Sequence, residues 1–369
     1  MNTRILLSCI TVFAMLISAG CAGEPARTHR IVFMGDSITD GGTLILLVRR
    51  TLADAGRPVP VGINAGVAGD TAKGMRARIE RDVLVHRPTL VSLSVGINDV
   101  LRGVTLADYE RDVTAIADQL KARGVPMLIL TTTILGPRNI AREEGLGAYN
   151  AFLRRLAKER GYAVADVFAR MDEERKAGRE LLEADHVHLN FAGYRAMAAA
   201  VLEGLGEGAL RVPDKLEPDL LPGVITPWKM RAAAAGEPAL DEKSVAGLKP
   251  DDSWTDYALP ETEPMTDWWP EQERRRGLAQ SLAKRMGKGN RYVGVARIEA
   301  EAPKQVYFNT GADLKTVWLN GRRIYRNTTW TGWHPGKERV AAELAAGANT
   351  VVIETGPTFF LSVTDTNDW

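Results

Sequence analysis

The chain has 369 residues, room for two ordinary domains that each bury a core. Charged residues make up 25% and the formal net charge is +1, which excludes the strong global field of a nucleic-acid binder. Both cysteines, Cys9 and Cys21, sit near the N-terminus, so a disulfide framework for the folded part is excluded as well.

In chain order, the first segment is not part of the fold. Arg4 precedes an apolar run from Ile5 to Ile17, followed by Ser18, Ala19, Gly20 and Cys21. The run is too short to span a bilayer comfortably, and its charged, apolar, small-residue layout is that of an export signal. Residues 1–21 resemble a bacterial lipoprotein signal, which implies a lipid on Cys21. The protein is then held at the periplasmic or cell-surface face of a membrane. Ser18 departs from that pattern, where an apolar residue is usual, and an ordinary secretory signal cut nearby is the other reading.

Residues 30–206 alternate short apolar runs with longer amphipathic ones. Ile31–Met34, Val61–Asn64, Thr89–Val95, Val125–Thr131 and Ala163–Val167 are predicted strands, short and rich in β-branched residues. Thr43–Ala55, Leu106–Arg123, Leu146–Arg160 and Phe191–Leu205 are predicted helices, with Tyr109, Val113, Ile116 and Leu120 at three- and four-residue spacings in the second. Strands apolar on both faces and alternating with helices imply a parallel sheet covered on both sides, a three-layer α/β domain.

Residues 207–227 carry four prolines and read as a linker or an extended wrap. Beyond them, residues 228–369 hold all eight tryptophans: Trp228, Trp254, Trp268, Trp269, Trp318, Trp330, Trp333 and Trp369. Tyr292–Ile298, Gln305–Asn309, Thr316–Leu319, Arg323–Arg326 and Thr350–Glu354 are predicted strands, with Asn320-Gly321 as a hairpin turn and a short helix near Glu271–Met286. This region reads as an antiparallel β-sandwich.

Chemistry concentrates where predicted parallel strands end. Gly35-Asp36-Ser37 follows the first strand, where open α/β sheets place ligands. Ser37 reads as a nucleophile in need of a base, or, with Thr39, as a plain helix cap. The base is available in Asp185-His186-Val187-His188, where Asp185 can turn back onto the His188 imidazole and fix its tautomer. The same stretch has metal-ligand spacing through His186, so a metal site is a competing reading. Asn64-Ala65-Gly66-Val67-Ala68-Gly69 after the second strand and Gly96-Ile97-Asn98-Asp99 after the third supply a backbone N–H and a side-chain amide. Both are suited to an oxyanion, although a glycine turn and an Asn cap are their bland alternatives.

With Ser37, Gly69, Asn98 and His188 in that order and Asp185 as acid, residues 30–206 resemble the SGNH (GDSL) hydrolases. The resemblance implies a flavodoxin-like α/β/α fold and hydrolysis of acyl esters with no metal or cofactor. It assigns Ser37, Asp185 and His188 to catalysis, and Ser37, Gly69 and Asn98 to the oxyanion hole. No Gly-x-Ser-x-Gly elbow occurs, which argues against the α/β-hydrolase fold. Thr131–Tyr149 is polar and charged with no extended apolar channel, which favours a short acyl group such as acetyl on a small molecule or polysaccharide. The later region loosely resembles galactose-binding-like sandwiches. Its tryptophans are either a sugar-stacking platform or core. The rival from another class is a non-catalytic glycan-binding or scaffolding lipoprotein.

Overall fold

The computed structural model describes residues 29–217, 219–259, 275–279, 282–328, 336 and 338–366. The export segment with Cys21 lies outside them, as do Trp268, Trp269, Trp330, Trp333, Trp369 and part of the predicted 271–286 helix.

Five strands form a wholly parallel sheet: β1 (Arg30–Gly35), β2 (Val61–Gly66), β3 (Leu90–Ser94), β4 (Met127–Leu130) and β5 (Ala163–Ala165), in the order β2-β1-β3-β4-β5. Residues Ile31 to Met34 of β1 are each no more than 1% exposed, because alternate side chains serve two cores. Ile31 and Phe33 pack with α2 (Thr43–Asp54), α7 (Val167–Lys176) and α8 (Phe191–Gly204). Val32 and Met34 pack with α3 (Ala72–Asp82), α5 (Leu106–Ala122) and α6 (Ile140–Arg160) on the other face. Two short helices, α1 (Ser37–Asp40) and α4 (Ile97–Leu101), follow β1 and β3 directly. This is the flavodoxin-like α/β/α arrangement.

Element boundaries differ from the sequence reading for physical reasons. Helix α6 begins at Ile140 and not at Leu146, because a tertiary ion pair holds its first turns: Glu143 accepts from Arg175 at 2.8 and 3.1 Å. β5 stops at Ala165 because Asp166 caps α7, accepting from Ala169 N at 3.3 Å. α3 has no predicted counterpart, since it buries few apolar side chains and one arginine, Arg78.

The C-terminal strands are β6 (Trp228–Ala232), β7 (Thr255–Tyr257), β8 (Tyr292–Ala300), β9 (Lys304–Gly311), β10 (Leu314–Leu319), β11 (Arg322–Arg326), β12 (Glu338–Leu344), β13 (Gly347–Thr355) and β14 (Phe360–Thr364). They form two antiparallel sheets, β11-β10-β13-β8-β6-β7 and β12-β9-β14, with one apolar core between them. Asn320 and Gly321 have φ of 51° and 82°, the left-handed pair that closes a tight hairpin between β10 and β11. Trp228 is buried edge-on to Phe359 and donates from Nε1 to Ile225 O at 2.7 Å. Trp318 and Trp254 are buried in a satellite cluster, so the three described tryptophans are core and not a platform.

The proline-rich stretch is packed at both ends. Val212 and Leu216 join the core of the parallel sheet, while Ile225 N donates to Leu361 O and Val363 N to Gly223 O beside β14. The sandwich meets the turn between α3 and β3 through Arg339 Nη1, which donates to His86 Nδ1 at 3.3 Å. A Cβ on Gly42 would lie 2.7 Å from Arg276 Nη1, so the two regions also touch just beyond α1.

Candidate active site

All four predicted blocks end at the carboxyl edge of the parallel sheet. Asp36 closes β1 as the N-cap of α1, its Oδ1 accepting from Ile38 N at 3.0 Å, and this aims the half-buried Ser37 side chain out of the helix start. The Ser37 hydroxyl lies 2.8 Å from His188 Nε2, across 151 residues of chain. His188 Nδ1 lies 2.5 Å from Asp185 Oδ2, while Asp185 Oδ1 accepts from the Val187 and His188 N–H groups, each at 2.9 Å. With the Nδ1 proton held by Asp185, Nε2 is left to accept from the Ser37 hydroxyl.

The electrostatics of the carboxylate fit that role. Partial burial by itself would push the Asp185 carboxyl up, but the hydrogen bonds from His188 and the two backbone N–H groups outweigh it and hold it below the usual range. A carboxylate kept ionised in this way is suited to support an imidazole that accepts a proton.

Gly69 and Asn98, the donors expected from the sequence, reach the same edge. Gly69 has a φ of 76°, a left-handed backbone that leaves its N–H without an acceptor among the described residues, as is the N–H of Ser37. Asn98, in the first turn of α4, gives one Nδ2 proton to Asp36 Oδ2 at 3.1 Å and keeps the other.

Two supporting residues escaped the sequence reading. Asp36 is only 2% exposed, and burial pushes its carboxyl up to about 6 against the lowering pull of Ile38 N–H, His188 and Asn98. It spans the blocks of Ser37 and Asn98. Arg78 is 7% exposed and donates to Gly35 O at 2.9 Å, Ala65 O at 2.7 Å, Asp70 Oδ2 at 2.6 Å and Asp82 Oδ2 at 3.2 Å. One guanidinium therefore ties the residue next to Asp36 to the residue next to Gly69. The only signal in the sequence was an arginine eight positions after Asp70.

Two contacts complete this side. Both carboxylate oxygens of Asp99 accept from Ala72 N, at 3.1 and 3.2 Å, joining α4 to the start of α3. Burial pushes Asp99 up to about 6, opposed by the Ala72 N–H and reinforced by Asp36 and Asp70. Gly66 is crowded, since a Cβ there would sit 2.3 Å from Asp40 N.

His186 does not join the pair. Its backbone is left-handed, φ 63°, its O accepts from Gly136 N at 2.9 Å, and its ring lies against Gly136 while that of His188 faces Ser37. No group of three His, Cys, Asp or Glu suited to a metal ion occurs among the described residues. The polar wall expected from Thr131–Tyr149 is mixed: Thr131 to Leu135 are buried, and Ile140 is exposed.

Residues 33–196 match the GDSL-like Lipase/Acylhydrolase family. The esterase TesA of Pseudomonas aeruginosa is 32% identical over 140 residues, 34% of this chain and 69% of that one. The chain belongs to the GDSL-like lipase/acylhydrolase family. Within that family, an acetylxylan esterase of Geobacillus stearothermophilus is 26% identical over 209 residues, 48% of this chain and 94% of the relative. A crystal structure of an acetylxylan esterase from the same organism has a TM-score of 0.44 at 25% identity, covering 48% of this chain and 94% of that one. This GDSL-like protein is a carboxylic ester hydrolase. No helix among the described residues is long and apolar enough to cross a membrane.

Proposed function

We propose that this esterase removes short acyl groups, acetyl foremost, from saccharide hydroxyls, with Ser37 as nucleophile, His188 as general base and Asp185 as the acid that orients it. The observation that carries the reading is the unbroken chain of contacts from the Ser37 hydroxyl to His188 Nε2 at 2.8 Å and from His188 Nδ1 to Asp185 at 2.5 Å. Ser37 Oγ attacks the ester carbonyl as His188 takes its proton. The tetrahedral oxyanion is held by the Ser37 and Gly69 N–H groups and by the free Asn98 amide proton, each donor worth about 2.7–4 kcal/mol. His188 returns the proton to the departing alcohol, and water repeats the cycle on the acyl-serine.

The acyl-group size rests on the charged residues Arg138, Arg142, Glu143 and Glu144 of Thr131–Tyr149, and the saccharide on the acetylxylan esterase relative. We further propose residues 30–206 as the hydrolase unit and 228–369 as an accessory sandwich, with a lipid on Cys21 holding the chain at an exported membrane face. Detergent phase partition tests the anchor: a Cys21→Ser protein that partitions like the parent removes it. For the mechanism, the test is Ser37→Ala with p-nitrophenyl acetate. Turnover drops at least about 10³-fold, and wild-type rates in that variant would end the proposal.

A further inference from the structure

Beside the loop that carries Asp185 and His188 lies a cavity of about 680 Å³, with Ile134, Leu135, Pro137 and Ile140 on one wall and residues 178–184 and His186 on the other. We infer that this cavity receives the alcohol portion of the ester, a saccharide ring, and that His186 is the residue that recognises its hydroxyls. The inference rests on the reading of Ser37 and His188 given above, and it adds the location and chemistry of the leaving-group site.

Direction comes from the proton. The departing oxygen must collect the proton that the imidazole took from the serine, so the alcohol lies on the imidazole side of the scissile carbonyl and away from Asn98 and Gly69. Ala184 and His186 both line the cavity and flank Asp185 in sequence, which makes it a neighbour of the imidazole loop.

Chemistry comes from the lining. His186 is the one residue of the Asp185–His188 stretch whose ring turns to Gly136 and this cavity, and neither of its ring nitrogens has a partner among the described residues. A neutral imidazole offers one donor and one acceptor, the pairing a sugar hydroxyl needs. Among the other lining residues, Pro137 and Ile140 present exposed apolar side chains, Ile140 being 56% exposed. Aliphatic side chains facing a polar group suit a pyranose, which carries C–H bonds on its faces and hydroxyls at its edge. The charged rim argues against a fatty alcohol: Arg175 pairs with Glu143, and Arg179 with Glu174. The volume falls in the usual range for a small-ligand site.

The experiment compares kcat/KM on an acetylated xylo-oligosaccharide with kcat/KM on p-nitrophenyl acetate, in the full chain and in His186→Ala and Ile140→Ala. Alongside it, binding of xylobiose to Ser37→Ala and to Ser37→Ala/His186→Ala is titrated by calorimetry. In His186→Ala the saccharide-to-aryl ratio falls about tenfold through KM, and xylobiose binding is lost in the double variant. Ile140→Ala, at an exposed position that the fold does not need, moves the ratio the same way by a few fold. An unmoved ratio in both variants, or unchanged xylobiose binding, overturns the assignment, as does an equal fall on both esters, which would mark His186 as purely structural. Should the parent protein hydrolyse neither ester, the esterase mechanism fails on its own, and the calorimetry still decides the cavity.

Discussion

The half of the crevice that carries the half-buried Ser37, Gly69 and Asn98 is cross-braced from behind by buried Asp36, Arg78 and Asp99, whereas the half that carries Asp185 and His188 has side chains 49% and 45% exposed. On the first side, Asp36, Arg78 and Asp99 each bond residues from different strands or helices. On the second, the bracing is mostly local: Asp185 with Val187 and His188, and Glu183 with both histidines, with outside bonds from Gly136 and Ser37. The difference fits the roles proposed for the two halves. Donors that meet a developing charge must be fixed beforehand in a dry setting, while a base that passes protons onward needs contact with water.

The largest effect that would break this contrast comes from Arg78→Met. It removes the buried cation that pairs with the nearly buried Asp70 and a donor to the carbonyls of Gly35 and Ala65, and leaves Asp82 paired with Arg81. Urea unfolding should show about 3–5 kcal/mol less stability, and a loss below about 1 kcal/mol would mean that this side is not braced as described. Next, Asn98→Ala removes one oxyanion donor from the rigid half. kcat falls about 10²- to 10³-fold, roughly 2.7–4 kcal/mol, with KM little changed.

Asp36→Asn sharpens the comparison through pH. The Asp36 pKa is raised in the folded state, from 3.8 to about 6, so its protonation contributes stability that is complete below 3.8 and lost as pH rises through about 6. The variant lacks that term. Wild type should therefore gain up to about 3 kcal/mol on the variant as pH falls from 7 to below 3.8, measured by denaturant midpoints across pH. The smallest effect belongs to the exposed half: Asp185→Ala lowers folding stability by no more than about 1 kcal/mol while kcat drops. An unfolding penalty there as large as that of Arg78→Met would erase the distinction between the halves.

How much of this was legible in the sequence follows the same division. Residues whose chemistry is fixed by local spacing, Ser37 in its turn and Asp185 three before His188, were readable because neighbours in sequence stay neighbours in space. The parallel sheet was readable because β-branched runs apolar on both faces have few other homes. Residues that act by crossing between elements were not. Arg78 draws no reading until the fold brings four acceptors around it, and Asp36 is only the residue between Gly35 and Ser37 until Asn98 reaches it from α4. In the sandwich, Asn320-Gly321 announced its hairpin through backbone φ alone. β12 and β14, short and partly polar, pair only with β9, a long-range contact that no local pattern encodes.

The crowding at Gly66 sets where such an enzyme can be remodelled. Any side chain there would drive into the Asp40 backbone and displace the turn that follows β1, so the ends of the first two strands admit almost no tinkering. Residues 137–140 and 178–180 border open space instead, and substitutions there meet solvent or ligand more than packed chain. A designer wishing to give this scaffold a new diet would leave the first two strand ends untouched and rewrite those two stretches.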